Sequence, residues 1–178
     1  MNKEIQIEHL KIEEIKEHPL NRQIFNEISP SQREALMEYI KKRGLVKPLV
    51  INTENFLLAG HARFQICKEL KYVTVPVQRV QFASAKDEEE YLILDNLLSR
   101  DISPIEQAKA GMHIEHLKDK YQRTGNPLRN VVAKSLGLSH FQYVKAKAIL
   151  MSGEPELIAR VDRGEVTVNR AYIILKEI

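Results

Sequence analysis

The chain contains one cysteine, Cys67, and no tryptophan. A lone cysteine excludes an internal disulfide and any zinc site built on cysteine pairs, and it suits a reducing compartment. Long hydrophobic runs are also missing: no apolar stretch approaches the roughly 20 residues that a membrane-spanning helix needs. The N-terminal text MNKEIQIEHLKIEEIKEH has neither the apolar segment nor the small-residue cleavage site of a secretory signal, so the chain is expected to stay in the cytoplasm, without a membrane partner. There is no nucleophile motif, no Walker-type glycine loop and no zinc-binding cysteine pattern, which argues against most common enzyme classes. Internal repeats and low-complexity stretches are absent too.

What is present describes an ordinary folded protein, with 43% hydrophobic and 29% charged residues over 178 positions, enough for two small domains. The net charge of +3 is uninformative until it is divided along the chain. Residues 84–106 carry seven acids (Asp87, Glu88, Glu89, Glu90, Asp95, Asp101, Glu106) against Lys86 and Arg100, a net of −5. Residues 109–147 carry eight bases (Lys109, Lys118, Lys120, Arg123, Arg129, Lys134, Lys145, Lys147) against Glu115 and Asp119, a net of +6. A basic block of this kind suits phosphate binding; a solvated charged face is the alternative.

Residues 6–16 read as a strand or extended entry, closed by a turn from Pro19 to Asn21. Ser29-Pro30-Ser31-Gln32 is a capping box with proline at the first helical position, and Leu36, Tyr39 and Ile40 give the following helix an apolar face until Gly44. Pro48 to Ile51 predicts a strand, paired as a hairpin with Phe56-Leu57-Leu58. Gly60 switches the chain into a helix with Ala62, Ile66 and Leu70 at four-residue spacing, and Val73 to Val80 is the next strand. The acids at 87–90 mark another helix start, with Tyr91, Leu94 and Leu98 as its buried stripe. After Ser103-Pro104 no strand pattern recurs. The expected organisation is therefore α+β: a mixed α/β domain over residues 1–100 and an all-helical domain over 101–178.

The text VVAKSLGLSHFQYVKAKAIL, residues 131–150, has the spacing of a helix-turn-helix, with the motif spanning about 128–150. Ala133 is small where helices cross, Leu136 packs inward, Gly137 takes a positive φ, Leu138 covers the turn and Ser139 caps the second helix. Tyr143, Ala146 and Ile149 or Leu150 then face the core, leaving His140, Gln142, Lys145 and Lys147 outward. Double-stranded DNA is the expected partner, contacted by Arg129, Lys134, Ser139, His140, Gln142, Lys145 and Lys147. An ordinary helical hairpin uses the same glycine turn and serine cap and remains the alternative.

In LLAGHARFQICKEL, Gly60, His61, Ala62 and Arg63 open a helix directly after a strand, a place where free amides and the helix dipole favour an anion and Arg63 adds a charged fork. A glycine turn with an arginine paired to a carboxylate explains the same residues. Asp95 and Asn96, near the end of the acidic helix, are candidates for a metal that accompanies a nucleotide, or are simply solvated helix residues.

Four blocks, in order, resemble the ParB family of partition proteins: ALMEYIKKRGLVKPLVI, LLAGHARFQICKELKYVTVPVQRV, LDNLLSRDISPIEQAKA and EPELIARVDRGEVTVNRAYIIL. The resemblance implies a front domain of the ParB/sulfiredoxin fold that binds CTP, or another nucleoside triphosphate, with Mg2+, followed by the helix-turn-helix domain. Partition proteins carry Gly-Glu-Arg-Arg where this chain has Gly60-His61-Ala62-Arg63; the glycine and last arginine match. Their Glu-Asn pair appears here as Asp95-Asn96, and their next arginine position is Ser99, with Arg100 one residue later. The implied nucleotide site is thus Gly60, His61, Ala62, Arg63, Asp95 and Asn96, with Asn96 on the Mg2+. A homodimer, a partition ATPase as partner and a nucleoid- or plasmid-associated role in segregation or related regulation are implied with it. Two other readings stand beside that one: a nuclease or weak nucleoside triphosphatase using the front domain, and an interaction module that docks through the acidic helix 86–98. Sulfiredoxins keep a cysteine beside the arginine, whereas here Cys67 lies a turn further on, so reductase activity is not expected.

Overall fold

The computed structural model describes residues 6–99, 101–119, 137 and 139–177. Two compact units divide the chain, Met1–Asn96 and Leu97–Ile178.

The first unit is built on a five-stranded sheet in the order β1-β5-β3-β4-β2. Its strands are β1 (Ile7–Lys11), β2 (Lys16–Glu17), β3 (Leu49–Ile51), β4 (Phe56–Ala59) and β5 (Thr74–Arg79). β1 runs antiparallel to β5, β5 parallel to β3, β3 antiparallel to β4 and β4 parallel to β2, so the predicted β3–β4 hairpin sits inside a mixed sheet. β5 shows the two-residue alternation of a half-covered strand, with Val75 and Val77 buried. β3 is buried at every position, as expected of a strand covered on both faces.

Helices α1 (Pro19–Ile24), α2 (Pro30–Arg43), α3 (His61–Glu69) and α4 (Ala85–Ser99) accompany the sheet. Pro19 to Asn21 is the first turn of α1 rather than a loop, because His18 Nδ1 accepts the Leu20 N–H at 3.3 Å and caps it. α2 starts with the predicted capping box: Ser29 Oγ accepts the Gln32 N–H at 3.3 Å, and Gln32 Oε1 accepts the Ser29 N–H at 3.1 Å. Ile40, Phe64, Ile66 and Cys67 join Leu49, Ile51 and Leu57 in one core.

One residue of the expected α2 stripe falls outside it, and the expected α4 stripe is turned from its predicted face. In α2, Met37 and Leu36 pack beside Ile40 while Tyr39 is 51% exposed. In α4, Leu92 and Ile93 are the buried residues and Leu98 is 85% exposed. Tyr91 is half-covered because Phe82, just ahead of the helix, meets its ring at 5.3 Å. Each helix carries apolar residues on two adjoining stripes, and only the contacts made in the folded unit choose between them.

The second unit contains α5 (Pro104–Asp119), α6 (His140–Met151), α7 (Pro155–Asp162) and α8 (Val168–Glu177). Ser103 caps α5: its Oγ accepts the Glu106 N–H at 3.1 Å, while Glu106 Oε2 accepts the Ser103 N–H at 2.7 Å. Ile105, Ile149, Leu157, Val161, Val166 and Ala171 form its core. Mixed α/β followed by all-α is the architecture the sequence pattern predicts. Among the described residues no helix is long and apolar enough to cross a membrane.

Candidate functional site

β4 ends at Ala59 and α3 begins at His61, so Gly60 alone turns strand into helix, at φ 97° and ψ 26°. A Cβ there would lie 2.8 Å from Leu49 Cδ2 and 2.9 Å from Arg63 Nη2. Glycine is needed for its backbone angle and again for the space it leaves. The Phe64 N–H closes onto Gly60 O at 2.9 Å. The amides of Ala62 and Arg63 therefore precede the first intrahelical donor, at the positive end of the helix dipole.

Arg63 reaches back across that turn. Its Nη1 donates to Lys47 O at 2.6 Å and to Pro48 O at 2.9 Å, which straps the start of α3 to the entry of β3. Burial lowers the guanidinium's pKa, while the charges of Asp95 and Cys67 pull it the other way. Asp95 on α4 is held above the usual carboxylate pKa by burial, with Lys47 and Arg63 pulling it back. Gly60, Arg63 and Asp95, chosen from the sequence, are thus brought together with Lys47. Lys47 was missed, although its place just ahead of Pro48 at a strand entry was a signal. His61 and Ala62 form the first turn of α3.

Asn96 is anchored through its amide nitrogen. Its Nδ2 donates to Leu92 O at 3.0 Å and reaches Asn21 Oδ1 at 3.5 Å, tying α4 to α1. Asn21 carried no motif and was not foreseen. Amides and an arginine at the start of α3, with Lys47 ahead of β3, are the donor set a phosphate chain requires, and a single amide oxygen suits Mg2+, which takes most of its ligands from phosphate and water. Cys67 is fully buried, and burial raises its thiol pKa against the opposing pull of Arg63, so it is a core residue rather than a nucleophile.

In the helical unit, Gly137 has φ +67° and Ser139 caps α6. Ser139 Oγ accepts the Gln142 N–H at 3.2 Å, and Gln142 Oε1 accepts the Ser139 N–H at 3.3 Å. Tyr143, Ala146 and Ile149 are buried, as the spacing predicts. The outward residues are more occupied than the sequence suggests. Lys147 is only 18% exposed and pairs with Glu115, whose other oxygen accepts the Tyr143 hydroxyl at 2.9 Å. Lys145 Nζ donates to Asn169 Oδ1 at 2.8 Å and lies 5.8 Å from the centre of the Tyr172 ring. His140 sits edge-on to Phe141, with ring centres 5.8 Å apart. Arg129 and Lys134, with the proposed first helix of the motif, its Ala133 and Leu136, and Leu138, lie outside the described residues.

The sheet order, the strand-glycine-helix turn and the helical unit behind it define a chain in which a small mixed α/β body precedes a helical one. The ParB N-terminal domain model matches residues 1–97, and the chain belongs to that family. It is 32% identical over 130 residues to a probable chromosome-partitioning protein ParB of Helicobacter pylori, covering 71% of this chain and 42% of the relative. It is 25% identical over 176 residues to a probable chromosome 1-partitioning protein ParB of Deinococcus radiodurans, covering 97% and 57%. The chain thus spans about half the length of the curated relatives it matches. A solved Pnob8-like ParB-N domain shares its fold with a TM-score of 0.71 at 18% identity, covering 99% of this chain and 82% of that one. C-terminally truncated Caulobacter crescentus ParB, solved in complex with the centromeric parS site, does so with a TM-score of 0.60 at 18% identity, covering 94% and 84%.

Proposed function

We propose that this chain is a DNA-binding protein of chromosome or plasmid partition, or of related regulation, acting in the cytoplasm on nucleoid or plasmid DNA. The observation that carries the proposal is the family match over residues 1–97, joined to a helical unit in which Ser139 caps a helix with an exposed first turn. The Caulobacter relative of the same fold was solved on its parS site, which supports duplex DNA as the ligand here. Residues 1–100 serve as the nucleotide domain and 101–178 as the DNA-binding domain. Ser139, His140, Gln142 and Lys145 meet the groove and its phosphates, with Arg129 and Lys134 completing the surface. Lys147, held by Glu115, steadies the helix that carries them.

In the front unit, the amides at the start of α3, with Gly60, His61, Ala62, Arg63 and Lys47, hold the phosphates of CTP, and Asp95 and Asn96 stand on the Mg2+ side. A bound nucleotide supplies charge to that corner and shifts the protein only by favouring one arrangement of it over another. A homodimer and a partition ATPase partner belong to the same proposal.

Calorimetric titration of CTP and Mg2+ into wild type and Arg63→Ala, with and without duplex DNA, tests the nucleotide half. Thermal melting of each protein shows that both are folded. Saturable binding that the folded variant loses supports the assignment; binding by neither protein removes the nucleotide and leaves a DNA-binding role.

A further inference from the structure

The first turn of α6 carries a large apolar side chain that stands exposed. Phe141 is 75% exposed although Tyr143, two residues on, is fully buried. Two of its neighbours have polar groups engaged within the helical unit. Gln142, the residue with the chemistry to read adenine, turns its Oε1 back onto Ser139 to complete the capping box. Lys145, one turn along, is held by Asn169 and the Tyr172 ring. The His140 ring packs edge-on against Phe141 with an interplanar angle of 76°, which steadies the phenyl group from one side.

A reading helix enters the major groove by its N-terminal residues, and only one feature of the base edges there is apolar: the 5-methyl group of thymine. We infer that Phe141 is a specificity-determining residue of α6 that packs against a thymine methyl in the major groove, a role that rests on the DNA-binding function proposed above. The partner is favoured by charge as well, since Phe141 lies within the basic block of residues 109–147. Capping makes the inference specific: it occupies Gln142 Oε1, which removes a bidentate contact to adenine and leaves Phe141 to supply apolar discrimination in the same turn.

Duplexes selected by the wild-type protein from a randomised library supply the probe, and each thymine is then replaced singly by deoxyuridine, which lacks only the methyl group. At one or more positions the wild type is expected to lose about fourfold in affinity, the worth of one buried methyl group. Phe141→Ala binds the parent duplex more weakly and no longer distinguishes thymine from deoxyuridine at that position. Phe141→Leu, which keeps an apolar group, retains part of the discrimination. Equal discrimination by wild type and Phe141→Ala, or none in the wild type, overturns the role of Phe141 while leaving DNA binding in place. Failure of the wild type to enrich any duplex overturns the DNA-binding function and this inference together.

Discussion

Gly60 and Arg63 are sterically coupled: the Cβ that Gly60 lacks would come within 2.9 Å of Nη2 of Arg63. The glycine lets the guanidinium fold back over the strand-to-helix turn, and the guanidinium in turn holds the Lys47 and Pro48 carbonyls. The two residues that match the family's glycine-arginine block therefore act as one structural device before either meets a ligand.

Gly60→Ala is expected to lower stability by about 1–3 kcal/mol, the cost of placing a side chain in a left-handed backbone conformation, with a further cost from the contact with Leu49. Urea unfolding measures it. An unchanged midpoint would show that the turn relaxes without consequence.

Asn52 is buried, 6% exposed, and holds the β3–β4 turn: its Oδ1 accepts the Glu54 N–H at 2.9 Å and the Phe56 N–H at 2.8 Å. Its Nδ2 donates to Glu88 Oε1 on α4 at 2.8 Å. Asn52→Ala strands those partners and is expected to cost about 2–3 kcal/mol. Asn52→Asp keeps the two accepted bonds but sets a carboxylate against Glu88, so its instability at neutral pH should shrink under acid. A denaturant series at two pH values checks both variants.

Lys145 and Lys147 separate by measurement. Lys145→Ala is expected to leave the melting temperature unchanged and to flatten the slope of log affinity against log salt by about 0.9, one phosphate contact. Lys147→Ala takes away the ammonium that faces Glu115 beside the Tyr143 hydroxyl and should destabilise the helical unit by about 1–2 kcal/mol. The opposite pattern would place Lys147, not Lys145, on the DNA.

Asp95 is a carboxylate whose folded pKa is raised above its ordinary value of 3.8, with burial as the chief cause. The folded state then binds its proton more tightly than the unfolded state, so this group's contribution falls as pH rises from the ordinary value through the folded one. Asp95→Asn removes that cost. It should raise the urea midpoint at pH 7, and the gain should fade as pH drops toward 3.8. A loss of stability at pH 7 would mean that attraction to Lys47 and Arg63 outweighs burial.

Local chemistry was readable in the sequence. Ser29 and Ser139 cap the helices they precede, Gly60 makes the turn between strand and helix, and Tyr143, Ala146 and Ile149 face inward because short-range rules decide them. Tyr39 and Leu98 were misplaced because an apolar residue at helical spacing is buried only if a neighbour arrives to cover it. Lys147 finds Glu115 across 32 positions and Asn96 reaches Asn21 across 75, separations at which periodicity carries no information. The strap from Arg63 to two backbone carbonyls was invisible for another reason: carbonyl acceptors leave no mark on the residue types that carry them.

The central claim is duplex DNA binding, and fluorescence anisotropy of a labelled duplex titrated with wild type across a salt series tests it most directly. A partition-type DNA-binding protein gives saturable binding at low salt with a linear fall of log affinity against log salt, and tighter binding to selected duplexes than to scrambled ones. No binding at 50 mM salt would contradict it and leave the acidic face of α4 as the surface to examine for a protein partner.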